Sequence, residues 1–296
     1  MKKLAITGGT HGNELTGVYL VKKWKLNPGL LKRHNFETLC LHTNEESIKE
    51  VRRYIDHDLN RSFGSADLQN ETLDTHEAKL AKRLNALLGP KGSNDSNVDF
   101  IVDLHTTTAN MGLSIVVSND STLTWKAIAY LCQMEPALNV YRWQGDEEGA
   151  FVDSMAPHGF AIEVGAVPQG VLKADLFLQT EILIYHVLDF FEKHNDGQSF
   201  SFSKTLEIYD HHSLVDYPRD SEGDIMAMVH HERQDKDFDL IESGDPLFLT
   251  LDGEVILYEG ETLCTIFINE AAYYEKGFAM CLAEKRTVEF ASDSIL

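Results

Sequence analysis

No stretch of this chain approaches the roughly twenty consecutive apolar residues of a membrane span, so no membrane is expected as a partner. An apolar leader is missing too. Met1-Lys2-Lys3-Leu4-Ala5-Ile6 runs straight into a strand-like segment, so a cytoplasmic location is expected. Cysteine is scarce, and the four present (Cys40, Cys132, Cys264 and Cys281) show no C-x-x-C spacing. Lying mostly in apolar strand-like stretches, they suit reduced core thiols better than a disulfide framework. Basic charge is short as well: 26 Lys and Arg face 47 Asp and Glu, a formal net charge of −21. That deficit argues against nucleic acid or an acidic membrane surface as a partner. No internal repeat or low-complexity tract occurs.

What remains is ordinary for a globular chain able to bury a full core, with 43% hydrophobic and 25% charged residues over 296 positions. Strand-like runs lie at 3–7, 36–42, 99–104, 113–117, 139–143 and 160–164, and helix-like stretches at 14–24, 73–88, 122–133 and 174–194. This alternation predicts an α/β fold, a largely parallel sheet with helices on both faces. From about Phe200 the texture changes to short alternating runs between turn signals such as Tyr217-Pro218-Arg219-Asp220 and Gly244-Asp245-Pro246. A second, mostly β domain is therefore expected, dividing the chain into 1–198 and 199–296.

Two segments carry the chemistry. Gly8-Gly9-Thr10-His11-Gly12-Asn13-Glu14 and Asp103-Leu104-His105 each follow a short apolar strand-like run. His11, Glu14 and His105 would complete a His2Glu zinc site that leaves a fourth position for water, as a hydrolytic zinc requires. Read singly, His11 could be a turn residue and His105 a hydrogen-bonded strand-end histidine. Asp103 shares the strand face of His105 and could act from behind it. Glu163 interrupts the apolar run Phe160-Ala161-Ile162-Glu163-Val164, where a carboxylate is costly unless paired with an arginine or functional. The pairs His211-His212 and His230-His231 read as exposed loop histidines, not a second metal site.

The segments GGTHGNELTGVYLVKKW, RRYIDHDLNRSF, DLHTTTANMG, IEVGAVPQGVLKAD, VDYPRD, GDPLFLTLDG and NEAAYYEKG together resemble the aspartoacylase and aminoacylase-3 group of zinc amidohydrolases. The resemblance runs from Lys3 to Lys276. It implies a zinc-carboxypeptidase-like mixed sheet flanked by helices, with a smaller β-rich C-terminal domain that partly covers the site. It implies one zinc per subunit on His11, Glu14 and His105, with Glu163 as general base and then acid. Arg53 would stabilise the oxyanion with zinc, and Asn60, Arg61 and Tyr273 would hold the α-carboxylate. Read alone, Asn60-Arg61 is a loop end with a surface ion pair and Tyr273 an edge-strand aromatic; Arg52 and Arg53 are not separable by sequence. The implied substrate is a small N-acyl-L-amino acid, cleaved to a carboxylate and the free amino acid; the alternative is a carboxypeptidase-like zinc peptidase. The resemblance also suggests a homo-oligomer, a dimer.

The match breaks at Asp153, which stands where aspartate-specific members carry an arginine for the substrate's β-carboxylate. An acid there would repel that group, and with Gly145-Asp146-Glu147-Glu148 it leans the comparison toward the aminoacylase-3 branch and its neutral and aromatic substrates. Arg142 lies near enough in sequence to substitute. Thr106 replaces an asparagine usual after the second histidine.

Overall fold

A computed structural model of the chain describes residues 1–93, 95–145, 149–200, 205–291 and 294–295. The first half alternates as its apolar periodicity predicts. In order come β1 (Lys3–Gly8), α1 (Leu15–Leu26), β2 (Glu37–His42), α2 (Glu45–Glu50), α3 (Ser65–Gln69), α4 (His76–Leu88) and β3 (Phe100–Thr106). They are followed by β4 (Gly112–Val117), α5 (Thr122–Met134), β5 (Asn139–Arg142), β6 (His158–Gly165) and α6 (Ala174–Asn195). The short α2 and α3 escape a periodicity reading because six or five residues span too few turns. Helix α4 starts later than its apolar pattern because the Asp56 carboxylate accepts the His76 N–H at 2.7 Å and sets the first turn there.

The second half is β-rich, as expected: β7 (Thr205–Val215), β8 (Ala227–Val229), β9 (Leu240–Ile241), β10 (Pro246–Thr250), β11 (Val255–Leu257), β12 (Leu263–Ile266), β13 (Met280–Ala291) and β14 (Ser294–Ile295). The main sheet has the order β2-β1-β3-β6-β4-β5-β7-β13-β12-β9, with β14 paired to β13. It is mixed rather than largely parallel: β1, β2, β3 and β6 run together, but β4 is antiparallel to β6. The sheet does not stop at the change of texture. Strand β5 pairs in parallel with β7 at Tyr141↔Tyr209 and Arg142↔Asp210, so the two halves share one sheet. Strands β11, β10 and β8 form a separate small sheet.

Period-two alternation sorts side chains to the two faces. Phe100, Val102 and Leu104 of β3 pack with Leu20 and Trp24 of α1, Ile128 of α5 and Phe190 and Phe191 of α6. Ile101 faces the other way, against Ala81, Leu84 and Leu88 of α4 and the loop residues Leu59, Phe63 and Val152. Asp103 and His105 follow Ile101 on that second face, at the C-terminal end of β3, where open α/β sheets place ligands. His211 and His212 lie in strand β7 rather than in a loop, and His230 is buried, so the exposed-loop reading is corrected for these three and holds for His231, which is exposed in a turn.

Candidate active site

The loop after β1 must turn sharply to aim two side chains at β3. Gly9 supplies a φ of +73°, and a Cβ on Gly12 would lie 2.2 Å from the Ser47 carbonyl oxygen, so both positions require glycine. His11 and Glu14 then meet His105 across the end of the sheet. His11 Nδ1 lies 2.6 Å from Glu14 Oε1, His105 Nδ1 lies 2.9 Å from Glu14 Oε2, and the two Nδ1 atoms are 3.2 Å apart. All three residues are buried and offer ligand atoms within 4.8 Å of one another; no other such group is found among the described residues.

Each ring is fixed from behind. His11 Nε2 lies 2.9 Å from Asp58 Oδ1, and His105 Nε2 lies 2.7 Å from Asp103 Oδ2. Asp103 also accepts from the hydroxyls of Thr7 and Thr10 at 2.6 and 2.9 Å, and Asp58 from Asn60 N–H and Arg53 at 2.9 and 3.0 Å. These acceptor-only carboxylates direct each ring to donate through Nε2 and leave both Nδ1 lone pairs facing the Glu14 carboxylate. Converging lone pairs with no hydrogen between them suit a divalent cation, so the residues fit a His2Glu metal centre. Thr106 contacts Glu14 through its backbone N–H at 3.0 Å, which any side chain at that position would allow.

Glu163 sits beside this cluster by register: β6 pairs with β3 at His105↔Glu163, so both side chains stand on one face. Its Oε2 is sealed from solvent and has no hydrogen-bond partner, so it is not in the arginine ion pair considered from sequence. Burial pushes its carboxyl up to about 8, helped by Glu14 and Glu270 against His105 and Arg53. The structure also separates the two arginines. Arg52 is exposed and pairs with Glu50 at 3.2 Å, whereas Arg53 turns inward to Glu14 at 3.3 Å and Asp58 at 3.0 Å.

A cleft with a cavity volume of about 80 Å³ opens over Glu163. Asn60 and Arg61 line it from the turn after α2, and Tyr273 from a 3-10 turn of the C-terminal half (Ala271–Lys276). Its remaining wall is strongly aromatic: Tyr141, Trp143, Phe151, Phe267 and Phe278. Asp153 lies on the same wall, buried, and that burial pushes its carboxyl up to about 7. Arg142 does not replace the missing arginine. It turns away from the cleft into a bidentate pair with Asp210, at 2.6 and 2.8 Å. Asp146, Glu147 and Glu148, part of the earlier comparison, lie outside the described residues.

Sequence reading missed the groups that hold these segments. Asp58 stands two residues before Asn60 in a motif already singled out, and that proximity was its only signal. Glu270 precedes Tyr273 by three residues and clamps the loop after His105. It accepts from Thr108 N–H at 2.6 Å, Ala109 N–H at 3.1 Å and the Thr107 hydroxyl. Asp237 adds a second clasp, taking Asn110 N–H and Ile268 N–H at 3.0 Å each.

The catalytic-domain model of the succinylglutamate desuccinylase/aspartoacylase family matches residues 1–191, and the AstE/AspA barrel-sandwich hybrid model matches residues 204–285. A probable aspartoacylase of Acaryochloris marina is 48% identical over 290 residues, covering 97% of each chain. The N-acyl-aromatic-L-amino acid amidohydrolase (carboxylate-forming) of Homo sapiens is 42% identical over 294 residues, 97% of this chain and 92% of its own. The crystal structure of murine aminoacylase 3 superposes with a TM-score of 0.92 at 38% identity, over 100% of this chain and 98% of that one.

Proposed function

The chain belongs to the succinylglutamate desuccinylase/aspartoacylase family, and on that footing we propose that it is a zinc-dependent amidohydrolase releasing a carboxylate and a free amino acid from N-acyl-L-amino acids. The observation that carries this reading is the pairing of His105 with Glu163, which sets an unbonded carboxylate oxygen beside three converging ligand atoms under an aromatic cleft. His11, Glu14 and His105 hold the zinc, which when bound polarises the scissile carbonyl, acidifies water and lowers the Glu163 carboxyl toward neutrality.

Glu163 takes a proton from the attacking water as the new C–O bond forms. It then delivers that proton to the amide nitrogen as the C–N bond breaks, so one carboxyl serves both steps. Arg53 presents a fixed cationic donor to the carbonyl oxygen as it becomes negative. Asn60 and Arg61 hold the substrate's α-carboxylate, where an arginine fork matches two oxygens, and Tyr273 closes on it from the C-terminal half. We assign residues 1–198 to the catalytic domain and 199–296 to the β-rich domain that partly covers it, supported by the presence of Phe267, Tyr273 and Phe278 on the cleft wall.

Aromatic walls and the acid at Asp153 favour neutral and aromatic side chains over N-acetyl-L-aspartate. A carboxypeptidase-like peptidase is not favoured, since the relatives found carry amidohydrolase and aspartoacylase names. A homo-oligomer and a cytoplasmic setting belong to the same proposal; the four unpaired thiols support the latter. The deciding assay compares zinc-loaded protein on N-acetyl-L-tyrosine and N-acetyl-L-aspartate, with a Glu163→Gln control. Faster release from tyrosine is expected, and loss of about 100-fold or more in kcat for the variant. Preference for aspartate would overturn the reading of Asp153, and an active Glu163→Gln protein would overturn the mechanism.

A further inference from the structure

Lys91 lies in the turn beyond α4, far from the reacting centre in sequence, yet its ammonium reaches two segments that supply residues to the cleft. Its backbone is anchored by donating its N–H to Asn85 Oδ1 at 2.8 Å. Its Nζ donates to the carbonyl oxygen of Phe63 at 2.8 Å and to that of Gly149. These carbonyls belong to two different segments. Phe63 ends the turn that presents Asn60 and Arg61, and Gly149 begins the strap of residues 149–154 that carries Phe151 and Asp153 into the cleft.

The segments meet at further points. Phe63 N–H donates to Ala150 O at 3.3 Å, and Val152 N–H to Asn60 Oδ1 at 2.9 Å. The Arg61 guanidinium carbon lies 4.8 Å from the centroid of the Phe151 ring. A guanidinium binds a carboxylate through two donors only when its plane is held, and a packed aromatic ring is one way to hold it. Phe151 keeps its place only while the strap does. An ammonium bonded to two carbonyls is a strong tie, because a charged donor roughly doubles a neutral hydrogen bond.

We propose that Lys91 is a positioning residue: by tying the turn after Arg61 to the strap of residues 149–154, it fixes the Arg61 guanidinium against Phe151 for the substrate's carboxylate. This rests on the reading of Arg61 given above. The ammonium of Lys91 bonds to the turn and the strap, and its charge reaches Asp153 on the cleft wall, whereas His11 and Glu14 stand in the loop after β1, His105 on β3 and Glu163 on β6, so it acts on binding and not on the proton transfers.

The test uses full-length, zinc-loaded protein and two probes, N-acetyl-L-tyrosine and N-acetyl-L-tyrosinamide, which lacks the carboxylate. Lys91→Met keeps the apolar stem and removes the charge. The expected result is a KM about tenfold higher for the free acid, kcat within about threefold, and little change for the amide. Lys91→Arg, which restores a cationic donor, recovers most of the loss. An unchanged KM, or equal losses on both probes, overturns the proposal while leaving Arg61 in place. Wild-type protein that does not distinguish acid from amide overturns the Arg61 reading, and this proposal falls with it. If Lys91→Met does not fold, Phe151→Leu probes the same link from its other end, and an unchanged KM for the free acid there again overturns it.

Discussion

Asp58 holds three groups at once: His11 at Nε2, Arg53 at its guanidinium and the Asn60 backbone N–H. One carboxylate thereby sets the ring of a proposed metal ligand, the cation beside it and the start of the turn proposed to bind substrate. Burial would raise this carboxyl, yet His11 and Arg53 together hold it well below the usual carboxylate range. Asp58→Asn keeps the shape but offers one accepting oxygen in place of two, so His11 loses its directing partner or Arg53 does. Zinc affinity is expected to fall by about 10- to 100-fold, as loss of such an outer partner generally costs. Competition with a chromophoric chelator measures it, and an unchanged affinity would mean that His11 needs no help in choosing its tautomer.

Helix α4 contributes more than an apolar face. Glu77, in its first turn and fully buried, accepts the consecutive backbone N–H groups of Ile55, Asp56 and His57 at 2.8, 3.0 and 3.2 Å, and the Asn44 amide at 3.1 Å. The loop between Arg53 and Asp58 is thus moulded on one side chain of a helix that follows it in sequence. Burial opposes ionisation, but these donors win and lower the carboxyl from its ordinary value of 4.5. With the folded-state value depressed, the stabilisation is present above that ordinary value and is lost as pH falls through the folded-state value. Glu77→Gln should cost about 1–3 kcal/mol in urea unfolding at neutral pH, because buried donors lose an acceptor. The gap between wild type and variant should narrow as pH falls below 4.5 and the native carboxylate is protonated. A gap constant across that range would assign the loss to shape and not to charge.

The molecule as a whole is stitched across its middle. Strand β5 hands the sheet on to β7, Glu270 and Asp237 grip the loop after β3, and Tyr141, Ile266, Phe267 and Cys281 form one apolar cluster across the junction. A metal at the three-donor centre adds a further link, since His11 and His105 are 94 residues apart in sequence. Zinc returned to chelator-treated protein at about 100 times its Kd should therefore stabilise the fold by roughly 2.7 kcal/mol. In a chain of this size that is a rise of about 4 °C in Tm. Differential scanning calorimetry reads it directly, and a Tm indifferent to zinc would contradict a native-state metal centre.

The sequence by itself determined what is local and periodic. The apolar alternation placed β1, β3, β6 and the long helices to within a few residues, the turn signals marked the β-rich second half, and H-x-x-E with D-L-H named three ligand candidates. The element placements hold because side-chain period and turn signals act over a few residues. Tertiary structure alone decided which distant groups meet. Register set Glu163 beside His105, β5 joined β7 into a shared sheet and a reversed β4 made that sheet mixed. Packing sent Arg53 inward while Arg52 stayed in solvent, and took Arg142 out of the cleft to Asp210. Glu77, Glu270 and Lys91 were illegible in one dimension because their partners are chiefly backbone groups, which look alike in every sequence, and Asp58 because one of its side-chain partners, His11, lies 47 residues away. A buried carboxylate or ammonium acquires its meaning only when the fold brings otherwise unsatisfied N–H or C=O groups within its reach.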